Sequence, residues 1–225
     1  GMYLRGSLYE QATKRLDQAL ALEPEARRWM LLDDADDRLT RVYIARGRAM
    51  FHHGRLDEAL ADLRKAQSLA THLGNPKLKS KAARHLGTLL RNVGRHQEEA
   101  ERQLRDAIRW AEDAGDETLL ADPVYQLGGV LWGQGNLDGA ERCWRRALDI
   151  ATRMKDLRCQ GLGWNGLGIL ALCRGRALEA RKNIERSATI FEELGMLDRL
   201  VISRINLIEL YLQMGLLKKA LMLSD

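Results

Sequence analysis

The chain has 225 residues, 45% hydrophobic and 30% charged, with 36 Lys+Arg against 31 Asp+Glu and a formal net charge of +5. No apolar run approaches the roughly 18 residues of a membrane span, and the charge signs are interspersed rather than gathered into the basic, aromatic-interleaved stripe of a nucleic-acid binder. Only 3 Pro, 5% aromatic residues and an abundance of Ala, Leu, Arg and Glu predict an all-α protein without strands.

In chain order, residues 6–23 read as a helix opened by Gly6 in GSLYEQA, with Ala12, Leu16 and Ala19 on one face and Pro24 at its end. The stretch PEARRWMLLDDADD, residues 24–37, follows as an insertion, with Asp33, Asp34, Asp36 and Asp37 suited to the positive end of the next helix. Its carboxylates lack the glycine and closing glutamate of a calcium loop. Helix pairs are then expected near residues 32–73, 77–114, 117–155, 156–195 and 197–225, all in one domain.

One phrase joins the two helices of each pair: GRLDEAL at Gly54, GRHQEEA at Gly94, GNLDGAE at Gly135, GRALEAR at Gly175 and GLLKKAL at Gly215. The steps are 40, 41, 40 and 40 residues, a period that marks a stacked-repeat architecture. Gly6 opens a sixth, weaker version 48 residues before Gly54. Five or six residues past each of these five glycines stands an alanine (Ala59, Ala100, Ala140, Ala180, Ala220), and seven before it stand Gly47, Gly87, Gly128, Gly168 and Ile208. Two helices that cross closely need small residues at the contact, and a glycine that ends a helix supplies the left-handed conformation its terminus favours. Apolar stripes such as Trp164, Leu167, Gly168, Ala171 and Val124, Leu127, Gly128, Leu131 give each first helix one buried face. A single pair cannot bury such a face, so each leans on the next.

Trp164, Leu167, Gly168 and Ala171, followed by Ala180 and Ile184, make this pattern similar to the tetratricopeptide repeat, a helix–turn–helix module. Ala12, Leu16, Ala19 and Pro24 resemble the second helix of such a repeat with its terminal proline. The period exceeds the family's usual 34 by about six, as in the extended repeats of bacterial signalling regulators and kinesin light chains. Most later units replace the terminal proline with Gly74-Asn75, Gly115-Asp116, Lys155-Asp156 or Gly195. The resemblance implies a right-handed α-α superhelix of about five to six pairs. Without polar capping units at either end, the chain reads as a piece of a longer protein or as one whose ends are covered by association.

Nothing in the sequence assembles a catalyst. His52, His53, His72, His85 and His96 read as scattered over turns and helix ends, with no HExxH, P-loop or nucleophile elbow. Glu98-Glu99 and Glu192-Glu193 lie where helices carry surface charge, and nothing in the sequence calls for the shared pocket that acid–base work by two carboxylates needs. No cofactor or metal is implied. Cys143, Cys159 and Cys173, odd in number and without CxxC spacing, suggest reduced and mostly buried thiols. Together with the lack of a basic-then-apolar leader, they suggest a cytoplasmic location.

In the family it resembles, the first helix of each pair lines a groove. Carried over position by position, this implies Arg41, Arg48 and Phe51 from one unit and Lys81, Arg84, Thr88, Arg91 and Asn92 from the next. Tyr125 and Trp132 follow, then Asn165, Ile169 and Leu172. Arg84 and Arg91 offer forks for carboxylate or phosphate, while Tyr125 and Trp132 are the amphipathic anchors that interfaces prefer. The Lys-x3-Asn pair with which some family members clamp a peptide carboxylate is missing: its places read Ile44/Arg48, Arg84/Thr88, Tyr125/Gly129, Asn165/Ile169 and Ile205/Glu209. The expectation is a non-catalytic scaffold that binds an acidic or phosphorylated protein or peptide segment. The two rivals are a ligand-sensing domain of a larger bacterial regulator or kinase, with Trp132 and Asn165 on a small metabolite, and self-association through the uncapped ends.

Overall fold

The computed structural model describes residues 2–29, 32–94 and 96–224. Met30 and Leu31 of the expected insertion, Arg95 of the GRHQEEA phrase and Asp225 of the last pair lie outside the described residues. Among the described residues the chain is helical and has no strand. It forms two compact units, Gly1–Leu119 and Leu120–Asp225.

The first unit holds α1 (Met2–Ala21), the short α2 (Glu23–Trp29), and two helix pairs, α3 (Leu32–His52) with α4 (Leu56–His72) and α5 (Pro76–Val93) with α6 (Gln97–Asp113). A single 3-10 turn at Glu117–Leu119 closes it. Two expectations are corrected here. Gly6 lies inside α1 and is not a turn glycine, because the helix already begins at Met2. Pro24 follows the turn at Leu22 that ends α1 and sits in the first turn of α2, where its missing N–H costs no helical hydrogen bond.

The second unit holds α7 (Ala121–Gly133) with α8 (Leu137–Arg153), α9 (Leu157–Cys173) with α10 (Ala177–Glu193), and α11 (Leu197–Gln213) with α12 (Leu217–Ser224).

The turn glycines do what their spacing predicts. At Gly135, φ is +79°; its N–H donates to the Trp132 carbonyl at 3.0 Å and the Asn136 N–H to the Leu131 carbonyl at 2.9 Å. These paired bonds satisfy carbonyls that a helix end would otherwise leave orphaned. Asn136 then caps the next helix, its Oδ1 accepting from the Gly139 N–H at 2.9 Å. Between pairs, Asp156 does the same for Cys159 N–H, and Asn75 accepts from both Lys77 and Leu78 N–H ahead of Pro76.

The small contact positions are equally literal. A Cβ added to Gly47 would stand 2.9 Å from Leu63, one on Gly87 2.7 Å from Leu104, one on Gly128 2.5 Å from Trp144 and one on Gly168 2.4 Å from Ile184. Each first helix therefore rests its backbone on a large side chain of the second. Ala59, Ala100, Ala140 and Ala180 are fully buried in the same seam. Every leucine-sized side chain so buried contributes about 1.5–3 kcal/mol, which is how short helix pairs hold together.

Candidate partner-binding faces

The first unit offers the predicted row on α3 and α5. Arg41 is exposed, and its guanidinium is bound to Asp37 one turn earlier, Nε to Oδ2 at 2.7 Å and Nη2 to Oδ1 at 3.2 Å. Those hydrogen bonds raise its pKa above the usual arginine value. Arg48, two turns on, is exposed. On α5, Arg84 is half-buried and in contact with the ring of His85, and its carbonyl accepts from Thr88 Oγ1 at 2.8 Å. Arg91 donates to Asn92 Oδ1 at 3.0 Å. His85 lies in the middle of α5, not in a turn or at a helix end as its scatter suggested.

Lys77, Lys79, Lys81, Arg84 and Arg91 stand on α5, which contains no acidic residue. Lys81, Arg84, Thr88 and Arg91 fall at i, i+3, i+7 and i+10, one continuous face of the helix.

In the second unit the predicted residues diverge. Tyr125 is half-buried and packs on the cluster of Leu162, Phe191 and Leu200, and its carbonyl accepts from Trp144 Nε1 at 3.1 Å. Asn165 is 6% exposed, and its Oδ1 accepts from Asn206 on α11 at 3.0 Å. Trp132 is 42% exposed. Of the three, the tryptophan alone is exposed; the others join α9 to its neighbours. Trp164, the residue that carries the repeat resemblance, lies under the guanidinium of Arg186, 4.4 Å from its ring centroid.

Sequence reasoning missed the ionic seams, because their partners are far apart in the chain. Arg46 spans Asp62 on α4, at 2.7 and 2.6 Å, and Asp17 on α1, at 2.8 Å. Arg158 on α9 reaches Asp122 on α7 at 2.9 Å. The apolar outer edge of α11 was also missed, although LVISRINLIELYL carries aliphatic residues on more than one helical face.

None of the three cysteines is in a disulfide, and only Cys159 is buried; Cys143 is half-buried and Cys173 exposed, which corrects the expectation of mostly buried cysteines. Burial pushes the Cys159 thiol far up, leaving a neutral packing group and not a nucleophile. Among the described residues no group of three His, Cys, Asp or Glu side chains is placed to hold a metal ion, and no helix is long and apolar enough to cross a membrane.

Residues 125–154, which span the α7–α8 pair, match the family model of the tetratricopeptide repeat. The chain has the fold of a tetratricopeptide repeat protein. Its backbone is similar over its whole length to a Rap protein crystallised with Competence and Sporulation Factor, at 15% identity and a TM-score of 0.74, covering 74% of that chain. It is similar also to BtubC (BKLC) from P. vanneervenii, at 19% identity and a TM-score of 0.70 over 100% of this chain and 89% of that one. A third likeness is to the STAND signal-transduction ATPase PH0952 of Pyrococcus horikoshii, which has a tetratricopeptide repeat sensor. There the identity is 14% and the TM-score 0.69, over 94% of this chain and 32% of that one. No curated protein matches the sequence. At these identities the likeness carries the fold, and the function rests on the faces described above.

Proposed function

We propose that this tetratricopeptide repeat chain is a non-catalytic, cytoplasmic protein-interaction scaffold whose first unit holds an acidic or phosphorylated segment along α5. The observation that carries the reading is the charge of that helix: five Lys and Arg and no Asp or Glu in 18 residues. On α6 and α8, by contrast, basic side chains are interleaved with acidic ones, as in the Arg105–Glu101 and Arg145–Glu141 pairs. A helix surface of one sign raises the local concentration of an oppositely charged partner and speeds its capture. Arg84 and Arg91 add the planar fork that carboxylate and phosphate accept in pairs. Arg48 on α3 extends the same charge. The second unit, taken by itself, presents the half-exposed Trp132, a residue type that dominates interface energetics when it becomes buried.

The Rap structure, a tetratricopeptide-like fold in complex with a signalling factor, is consistent with such a role. The experiment is capture from native lysate by the chain and by its Arg84→Glu/Arg91→Glu variant, at low and at raised salt. A protein retained by the first, lost by the second and released by salt fits the reading. A retained protein that is indifferent to both changes overturns the placement on α5.

A further inference from the structure

Arginines on the second helices of the repeats commonly meet a carboxylate one turn earlier: Arg105 with Glu101, Arg145 with Glu141, Arg153 with Asp149. Arg186 on α10 is different. One turn before it stand Lys182 and Asn183, one turn after it Thr189 and Ile190. Among the described residues it has no hydrogen-bond or ion-pair partner. Its guanidinium lies instead over the ring of Trp164 on α9, 4.4 Å from the centroid. Trp164 shares a face of α9 with Gly161 and Gly168, which meet Phe191 and Ile184 of α10. The half-buried indole therefore stands at the margin of the α9–α10 seam, and the exposed Arg186 covers it.

The pairing is particular to this repeat. The matching places carry Tyr43 and Lys65, Ala83 and Asp106, and Val124 and Arg146. Its openness belongs to the repeat itself. Lys65 and Arg146 are exposed as Arg186 is, each in a repeat followed by a further complete helix pair.

Contact with an aromatic face steadies a guanidinium while using none of its five N–H donors. A fork held in this way, without a carboxylate of its own, is complementary to an anionic oxygen group. Lys182 is exposed one turn away. The acids that flank it are engaged elsewhere, Glu179 by Arg176 at 3.5 Å, and Glu185 by Arg181 at 3.7 Å and the Tyr211 hydroxyl at 3.2 Å. Two cations one turn apart suit a phosphate monoester, with a charge of about −1.5 to −2 at neutral pH, better than a singly charged carboxylate. One turn before Lys182, Leu178 is 70% exposed. Residues 178, 182 and 186 fall at i, i+4 and i+8, an exposed stripe about 12 Å long that an extended segment spans in about four residues. A free phosphate would leave the leucine end of that stripe unused.

We propose that this stripe of α10 is a binding site for a phosphorylated protein segment. The phosphoryl group meets the Arg186 fork with Lys182 beside it, and an apolar side chain of the same segment rests on Leu178. The site shares no residue with the α5 face and stands whether or not that face binds.

The test is a nitrogen-15 NMR titration of the chain with a synthetic peptide in which phosphoserine precedes leucine at that spacing, in a serine–glycine background. The indole N–H signal of Trp164, assigned with Trp164→Phe, reports on this site and not on α5. The phosphopeptide is expected to shift that signal saturably, and its serine twin to leave it in place. Arg186→Ala and Arg186→Lys should each weaken binding at least about tenfold, because lysine keeps the charge but not the fork. Both replace an exposed side chain, and far-UV circular dichroism should match that of the parent. Inorganic phosphate should bind more weakly than the phosphopeptide, and Arg84→Glu/Arg91→Glu should leave the Trp164 response intact. A Trp164 signal indifferent to the phosphopeptide overturns the proposal, as does equal binding of the serine twin or undiminished binding by Arg186→Ala. Inorganic phosphate that binds as tightly as the phosphopeptide overturns it too, by making the site one for a free anion.

Discussion

Helices α5 and α9 hold equivalent places in their repeats and are built from opposite materials. Helix α5 begins with the Asn75 cap and Pro76, ends in the left-handed Gly94, and buries Leu78, Leu86, Leu89 and Leu90 while none of its cations is buried. Helix α9 has one charged residue, Arg158, and four glycines, at 161, 163, 166 and 168. Each glycine costs a helix about 1 kcal/mol relative to alanine, so α9 is a poor helix on its own terms. Its glycines are spent on approach: Phe191 sits against Gly161, Trp144 against Gly166 and Ile184 against Gly168. The lesson is that one repeat geometry can be secured by local helix chemistry in one unit and by tertiary wedging in the other. A helix held locally leaves its outer face available for charge, whereas α9 uses nearly every face to pack.

The sharpest test of the first unit is Arg46. Asp62 is buried, and Arg46 meets it with two hydrogen bonds while also reaching Asp17. Arg46→Ala strands a buried carboxylate, and the expected loss is about 3 kcal/mol in urea unfolding. A loss below 1 kcal/mol would mean that water reaches Asp62 and that the three-helix ion network is ornamental.

The matching test of the second unit is Gly166→Ala. The alanine gains about 1 kcal/mol of helix propensity, but its Cβ would stand 2.6 Å from the Trp144 ring. That ring has little room to retreat, because Gly128 of α7 also lies against it, so closely that a Cβ there would stand 2.5 Å from the indole. The net expected cost is about 2 kcal/mol. Gly87→Ala in the first unit meets the Leu104 side chain at 2.7 Å and the Ala100 carbonyl oxygen at 3.1 Å, and is expected to cost less because a leucine can change rotamer where the wedged indole cannot. Equal costs in thermal unfolding of the two variants would erase the distinction between the units.

A smaller effect concerns acid. Glu141 on α8 is bridged by Arg174 at the end of α9 and by Arg145, which hold its carboxyl below the usual carboxylate range. A carboxylate whose pKa is lower folded than unfolded adds stability above its unfolded pKa, and loses it as pH falls through the folded value. Wild type should therefore exceed Glu141→Gln by about 0.5 kcal/mol at neutral pH, the worth of a partly exposed ion pair. The gap should close as pH drops below the ordinary carboxylate range. A gap that persists at low pH would assign the contribution to packing of the side chain instead.

Much of this was legible in the sequence. The 40-residue step, the turn glycines, the small contact residues and the recurring alanines are all local signals, because a helix and its neighbour are joined by a turn of a few residues. Gly6 misled for the same reason: it carries the phrase, but α1 runs through it from Met2 to Ala21. The helix-face periodicity also identified α5 as a cationic row, since faces follow from spacing alone.

What the sequence by itself determined was therefore the repeat: its period, its two helices, and which residues let them touch. What the tertiary structure decided was which of the remaining side chains are spent. Asn165 is taken by Asn206, 41 residues away, Tyr125 by a cluster from α9, α10 and α11, and Arg46 by Asp62, 16 residues away and on the next helix. The physical reason is range. Helix period and turn chemistry act over a few residues and can be read from the chain, whereas burial and hydrogen-bond satisfaction depend on what a neighbouring repeat brings to the same point in space.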